Sequence, residues 1–269
     1  MNKNIGFIGC GKMAKAMIEG IIGSGNINAD QIKVSTKTEN SLQTIEELFP
    51  IHTALENKEV ASWADYLVLA IKPDQHQEVI KEIKDSLSYT TVIITIAAGI
   101  TLEALENLFG RKIKAVRTMP NTPSLVREGM SAVTYNPYVS TEEREDLITI
   151  FNCFGKVEEV EEGLMDSIPA ISGSSPAYVY MFIEALADGG VKQGIARDQA
   201  YKLAAQAVLG AAKMVLETGI HPGELKDQVC TPGGATIEAV ATLEEKGLRS
   251  AVLSAMESCT NKVQSLSQK

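Results

Sequence analysis

The chain is poor in the residues that build metal sites and disulfide frameworks. Its 269 residues include four cysteines and three histidines. Cys10, Cys153, Cys230 and Cys259 lie far apart with no CxxC pair, and His52, His76 and His221 are equally scattered. A structural zinc or a disulfide scaffold needs clustered ligands, so neither is expected, and four reduced thiols are the plain reading. Positive charge is also in deficit: 25 Lys and Arg against 34 Asp and Glu leave a formal net charge of −9. That balance argues against a nucleic-acid partner, which calls for a basic face. A small anionic substrate stays open, because a few local donors override the mean field.

Long hydrophobic runs are missing as well. No stretch approaches the ~18 apolar residues of a membrane span, so no membrane partner is expected. The chain opens Met1-Asn2-Lys3-Asn4 and passes at once into Ile5-Gly6-Phe7-Ile8. This is too short for the core of a signal peptide and reads as a strand. A soluble, cytoplasmic protein is the expectation. Repeats, low-complexity tracts and long linkers are also lacking.

What is present is a rhythm. Short β-rich runs at 4–8, 32–35, 66–71, 92–96, 113–117 and 130–135 alternate with helical patterns at 12–22, 40–48, 75–83, 102–108 and 142–154. Several runs are continuously apolar, as expected of parallel strands covered on both faces. The alternation predicts an α/β fold with a doubly wound sheet. After a last short run at 157–160 the strands stop. Helices are predicted at 176–193, 197–217, 235–245 and 248–266, with Pro176 in a first turn, where its missing N–H costs nothing. Few charges interrupt 200–214, so that helix should be buried on most sides, as at a subunit interface. Length and pattern together predict two domains, 1–161 and 162–269.

The first strand runs into Gly9-Cys10-Gly11-Lys12-Met13-Ala14, a GxGxxA turn that opens a helix. Gly9 and Gly11 permit a tight turn and close approach of a pyrophosphate, which the helix N-terminus attracts. The pattern alone is weak; its place after the first strand of an α/β alternation makes it a dinucleotide site. At the end of the second strand, where an NAD enzyme carries an acid, stand Ser35, Thr36 and Lys37. Hydroxyls and a lysine suit a 2′-phosphate and favour NADPH, while Glu39 nearby keeps NADH as the alternative. Two further loops fall at C-terminal strand ends, where such sheets bind ligands: Ala70-Ile71-Lys72-Pro73 and Ala97-Ala98-Gly99.

The segment from His221 to Ala239 contains Cys230-Thr231-Pro232-Gly233-Gly234-Ala235-Thr236, a turn followed by a helix start. Free N–H groups and hydroxyls at a helix N-terminus suit a carboxylate. A capped helix start without a ligand is the other reading of the same residues.

This stretch resembles the signature of the pyrroline-5-carboxylate reductase family, whose pattern centres on a Gly-Gly-x-Thr turn before a helix. Gly9-x-Gly11-x-Met13, Ala70–Pro73, Ala97–Gly99, Met119-Pro120-Asn121-Thr122-Pro123, Ser172-Gly173-Ser174-Ser175-Pro176-Ala177-Tyr178 and Ala187-Asp188-Gly189-Gly190-Val191 resemble its other landmarks, in its order. The resemblance spans the first strand to the last third of the chain. It implies a Rossmann domain followed by an all-helical dimerisation domain, forming a homodimer or a higher homo-oligomer. The substrate would be a small cyclic imine, lying between the nicotinamide and the Gly-Gly-x-Thr turn. Backbone N–H groups of Gly233, Gly234 and Ala235 would hold its carboxylate, with the Thr236 hydroxyl by the ring nitrogen. Ser35, Thr36 and Lys37 would meet the adenosine end of the cofactor with Asn57 nearby, and Glu162 would touch the substrate side. Departures are small: serines 174 and 175 stand where glycine is frequent, and Cys230 or Thr231 where serine is. Gly219-Ile220 replaces an acid that some members carry ahead of His221-Pro222-Gly223.

Hydride addition to a protonated imine needs positioning more than acid–base machinery, which fits the lack of a His–Asp pair, metal site or activated lysine. Two rival readings fit the sequence less well. A β-hydroxyacid dehydrogenase calls for a catalytic lysine on the inter-domain helix, and 176–182 contains none. A non-catalytic dinucleotide-binding paralogue would be expected to lose the Gly-Gly-x-Thr turn, which is intact.

Overall fold

The protein is described by a computed structural model covering residues 3–267. It divides into two compact units: one runs through Gly173 and takes in the chain from Cys259 onward, and the other is Ser174–Ser258.

The first unit is an eight-stranded sheet. In chain order it comprises β1 (Ile5–Ile8), α1 (Lys12–Ser24), β2 (Ile32–Ser35), α2 (Glu39–Leu48), β3 (His52–Ala54), α3 (Asn57–Trp63) and β4 (Tyr66–Leu69). There follow α4 (His76–Ile83), β5 (Val92–Thr95), α5 (Leu102–Phe109), β6 (Lys114–Met119), β7 (Gly129–Tyr135), α6 (Thr141–Asn152) and β8 (Gly155–Glu159). The strand order is β3-β2-β1-β4-β5-β6-β7-β8. All neighbours are parallel except β6 and β7, which run antiparallel. The connection between that pair is a short 3-10 turn at Thr122–Val126, and parallel strands would need a crossover of a dozen or more residues.

β1, β4 and β5 are buried along their whole length, which is why their sequences are continuously apolar or nearly so. Two hydrophobic clusters cover the two faces. One gathers Phe7, Met17, Ile21, Phe151 and Phe154, the other Leu67, Leu69, Ile80, Ile83 and Leu105. The order of strand addition reverses at β1, with β2 on one side and β4 on the other and all three parallel, so the ligand crevice is expected beyond their C-terminal ends.

β3 and α3 have no counterpart in the sequence reading. β3 is three residues long and begins with an exposed His52, too short and too polar for periodicity to register. It exists because β2 offers an edge, with Lys33 to Ser35 pairing His52 to Ala54.

The second unit contains α7 (Ser175–Lys192), α8 (Arg197–Thr218), α9 (Pro222–Val229), α10 (Ala235–Glu245) and the first half of α11 (Leu248–Ser267). Its burial is slight. Ala187 is the one buried residue of α7, Ala200 and Ala204 are those of α8, and α9 and α10 have none. Met181 is 69 % exposed, Leu203 56 % and Leu216 77 %. The apolar run in α8 is therefore not covered within one chain. Large apolar side chains are left exposed along both α7 and α8. Among the described residues no helix is long and apolar enough to cross a membrane.

Candidate active site

The turn after β1 is held from both sides. Gly9 N–H donates to the Ser35 carbonyl at 3.0 Å, and Ala70 N–H donates to the Ile8 carbonyl at 2.9 Å. Gly9 has a φ of +87°, and a Cβ on it would lie 2.7 Å from the Ala70 carbonyl oxygen. Only glycine fits there. Gly11 caps α1 without a side-chain acceptor, and the first turn carries no acid. The helix thus keeps its unsatisfied N–H groups and its positive end for an anion. Lys12 at that end is exposed, while Cys10 and Met13 are half-buried. Burial pushes the Cys10 thiol up to about 11, against a smaller lowering by Lys15, so the loop adds no negative charge at neutral pH.

At the end of β2, Ser35 is fully buried and donates its hydroxyl to Asn57 Oδ1 at 2.8 Å. Asn57 Nδ2 in turn donates to Glu82 Oε2 at 2.9 Å. Thr36 Oγ1 donates to the Thr38 carbonyl at 3.2 Å, and Lys37 is exposed. Gly9, Ser35, Thr36, Lys37, Asn57 and Ile71 border one cleft of about 180 Å³, which Ala70 and Lys72 also reach. No Asp or Glu lines it among the described residues. The arrangement fits a dinucleotide carrying a 2′-phosphate: an open helix N-terminus, a turn that a Cβ would fill, and lysines in the cleft wall.

The other two loops follow β4 and β5, which pair directly. Pro73 opens a 3-10 turn at Pro73–Gln75 that leads into α4. Ala97, Ala98 and Gly99 precede α5, whose N-terminus is capped twice. Thr101 Oγ1 accepts from Ala104 N–H at 3.0 Å, and Glu162 Oε1 accepts from Leu102 N–H at 2.6 Å. Glu162 therefore has a backbone partner in the first unit that sequence reasoning did not foresee. No motif marks His76, Thr95, Arg117 or Asp166 either. Arg117 is 1 % exposed and ion-paired with Asp166, and His76 is buried against Thr95. Nothing in the spacing of these residues announces their contacts. Asn121, within a family-like landmark, holds the Ser172 carbonyl through Nδ2 and Met130 N–H through Oδ1, both at 2.9 Å.

In the second unit the Gly-Gly-x-Thr turn closes on itself. Gly234 N–H donates to the Thr231 carbonyl at 3.0 Å. Gly233 has a φ of +68°, and a Cβ on Gly234 would lie 2.3 Å from Thr231 Oγ1. Gly233 thus sits in the left-handed region that favours glycine, and a side chain on Gly234 would force Thr231 to shift. The Gly234 N–H is taken by the turn, whereas those of Gly233 and, at the start of α10, of Ala235 and Thr236 have no backbone acceptor among the described residues. Gly234 caps α10 without any side-chain acceptor, so these donors stay unsatisfied within the helix. The Thr236 hydroxyl stands on the same exposed first turn.

Comparison with known proteins agrees with this geometry. Residues 162–266 match the family model described as pyrroline-5-carboxylate reductase dimerisation, and residues 4–99 match that of the coenzyme F420-dependent NADP oxidoreductases. The chain is 50 % identical to the pyrroline-5-carboxylate reductase of Escherichia coli over 268 residues, covering 100 % of both. A pyrroline-5-carboxylate reductase structure from Coxiella burnetii superposes with a TM-score of 0.92 at 35 % identity, covering 99 % of each chain. A Plasmodium falciparum pyrroline carboxylate reductase solved with NADP bound gives 0.89 at 33 % identity, covering 99 % of this chain and 98 % of that one. With a helical unit matching a dimerisation model and an N-terminal unit built for a dinucleotide, this chain belongs to the pyrroline-5-carboxylate reductase family.

Proposed function

We infer that this protein reduces Δ1-pyrroline-5-carboxylate to L-proline with NADPH, as a cytoplasmic homodimer joined through its helical unit. The observation that carries the reading is the uncapped start of α10 behind a tight turn shaped by Gly233 and Gly234. It offers a carboxylate the backbone donors of Ala235 and Thr236, with the Gly233 N–H in the turn ahead of them and the Thr236 hydroxyl beside them. Full-length identity to the Escherichia coli reductase supports the reaction, and the NADP-bound relative supports the cofactor. The match to a dimerisation model, with apolar side chains left uncovered in one chain, supports the homodimer.

Each residue has a role in this reading. Gly9, Cys10, Gly11, Lys12 and Met13 shape the turn and helix start that take the pyrophosphate. Ser35, Thr36 and Lys37, with Asn57 fixed by Ser35, receive the adenosine ribose and its 2′-phosphate. Ala70, Ile71, Lys72 and Pro73, with Ala97, Ala98 and Gly99, form the two loops that carry the nicotinamide half. Glu162 secures the second loop through the α5 N-terminus. Gly233 and Gly234 shape the substrate turn.

When bound, the dihydronicotinamide supplies the hydride that the imine carbon accepts. A protonated imine is already electrophilic, so the chain's own contribution is placement of the two reactants at attack distance. Thr236 orients the ring nitrogen and holds its proton through the hydroxyl. A hydroxy-acid substrate is not favoured, since α7 has no lysine before Lys192, its last residue.

The test follows loss of dihydronicotinamide absorbance with pyrroline-5-carboxylate and assays proline, then repeats with NADH and with the six-membered cyclic imine. NADPH oxidation matched by proline formation is the expected result. No turnover from a folded protein that binds NADPH would overturn the reaction.

A further inference from the structure

His76 opens α4 yet is almost completely buried, 1 % exposed. Its Nδ1 lies 3.0 Å from the Lys72 carbonyl oxygen, and its Nε2 lies 3.1 Å from Thr95 Oγ1. Thr95, fully buried at the end of β5, accepts the Ala97 N–H on that same oxygen at 3.2 Å. These contacts form one chain that begins in the loop after β5 and ends in the loop after β4.

Hydrogen-bond accounting gives the chain a single direction. A carbonyl oxygen only accepts, so the proton sits on Nδ1 and is donated to Lys72. Nε2 then accepts the Thr95 hydroxyl proton, and Thr95 Oγ1 accepts from Ala97 N–H. Every buried donor and acceptor in the series is matched. An imidazolium would turn Nε2 into a second donor facing Thr95 and leave that hydroxyl's own proton without its acceptor. Burial also lowers the His76 pKa, against smaller raising effects from the Lys72 and Pro73 backbone and from Asp74, so the neutral ring is the ordinary state.

We propose that His76 is a positioning residue for the cofactor: with Thr95 it staples the Ala70–Pro73 loop to the Ala97–Gly99 loop and holds both at the separation the nicotinamide half requires. The proposal rests on the reading that these two loops carry the cofactor. Its physical basis is that each loop is irregular backbone beyond the end of a strand, where the sheet ladder no longer fixes the distance between neighbours. A rigid aromatic ring with one donor and one acceptor on opposite sides restores that constraint, and a series of buried hydrogen bonds pointing one way is mutually strengthening.

Thr95→Val keeps the volume and removes the hydroxyl; His76→Leu removes both ring contacts. Each is expected to raise the Kd for NADPH by about 5- to 30-fold, the effect of stranding a buried polar group. The double variant should lie within about threefold of the worse single one, because both break the same series. Thr95→Ser, which retains the hydroxyl, should recover affinity to within about threefold of the unmodified protein. Amide hydrogen exchange with and without NADPH separates the two levels of the argument. Absence of NADPH protection at 70–73 and 97–99 would overturn the loop assignment and the staple with it. Protection at both loops with unchanged Kd in the folded Thr95→Val protein would overturn the staple alone. A lowered melting temperature with unchanged Kd would make His76 and Thr95 packing residues only.

Discussion

The Ser35 hydroxyl at the end of β2 donates to the Asn57 side-chain oxygen at 2.8 Å, and the Asn57 amide group turns toward Glu82. The position at which an acid would bind the ribose 2′-hydroxyl is thus occupied by a hydroxyl already engaged with a neutral amide. The charges in the cleft wall are those of Lys37 and Lys72.

Cofactor preference should follow from Lys37. Lys37→Ala is expected to raise the KM for NADPH about 3- to 10-fold at low salt, with less effect as ionic strength screens the exposed pair. The KM for NADH should stay within about twofold. Steady-state kinetics with both cofactors checks this, and equal changes in the two would remove Lys37 from the 2′-phosphate site.

Thr236 should matter to chemistry more than to cofactor binding. Thr236→Ala is expected to lower kcat/KM for the imine about 10- to 100-fold, the range of one lost orienting hydrogen bond. Fluorescence titration with NADPH should give an unchanged Kd. Full turnover in the folded variant would take the hydroxyl out of the mechanism.

Gly234→Ala places a Cβ against Thr231 Oγ1 and close to the Thr231 carbonyl, which the Gly234 N–H must reach to close the turn. The α10 donors then move relative to the substrate carboxylate. The expected outcome is a rise of at least about 10-fold in the KM for the imine, with NADPH affinity retained. Substrate KM at saturating NADPH decides the point.

Cys10 should resist alkylation at neutral pH. Burial raises its thiol from an ordinary value of 9.0 to about 11, so the thiolate is scarce until strongly alkaline pH. The stability tied to the neutral thiol is present below about 9 and is lost as pH rises toward 11. Peptide mapping after iodoacetamide treatment across this range should show Cys10 modification rising late. Rapid labelling at pH 8 would contradict its burial.

Much of the site could be read from the chain because its cause is local. Gly9, Gly233 and Gly234 stand where a left-handed backbone or a close neighbour disfavours a side chain, and glycine followed by a helix pattern shows in sequence as it does in space. Ser35, Thr36 and Lys37 fall at the end of a short strand whose alternation of Ile32, Lys33 and Val34 is visible in the sequence. Neither the Gly234 N–H closing on Thr231 nor the Glu162 carboxylate capping α5 could be read that way.

By itself the sequence determined the alternation of strand and helix, the dinucleotide turn and the change to helices beyond residue 160. These follow from side-chain periodicity and from the conformational freedom of glycine, which act within a few residues. Tertiary structure alone decided the antiparallel β7, the edge strand β3, the Arg117–Asp166 ion pair and the series from Ala97 through Thr95 and His76 to Lys72. Buried polar groups must find partners, but which partner each one meets depends on strand order and register. Those are properties of the assembled sheet and of no single segment.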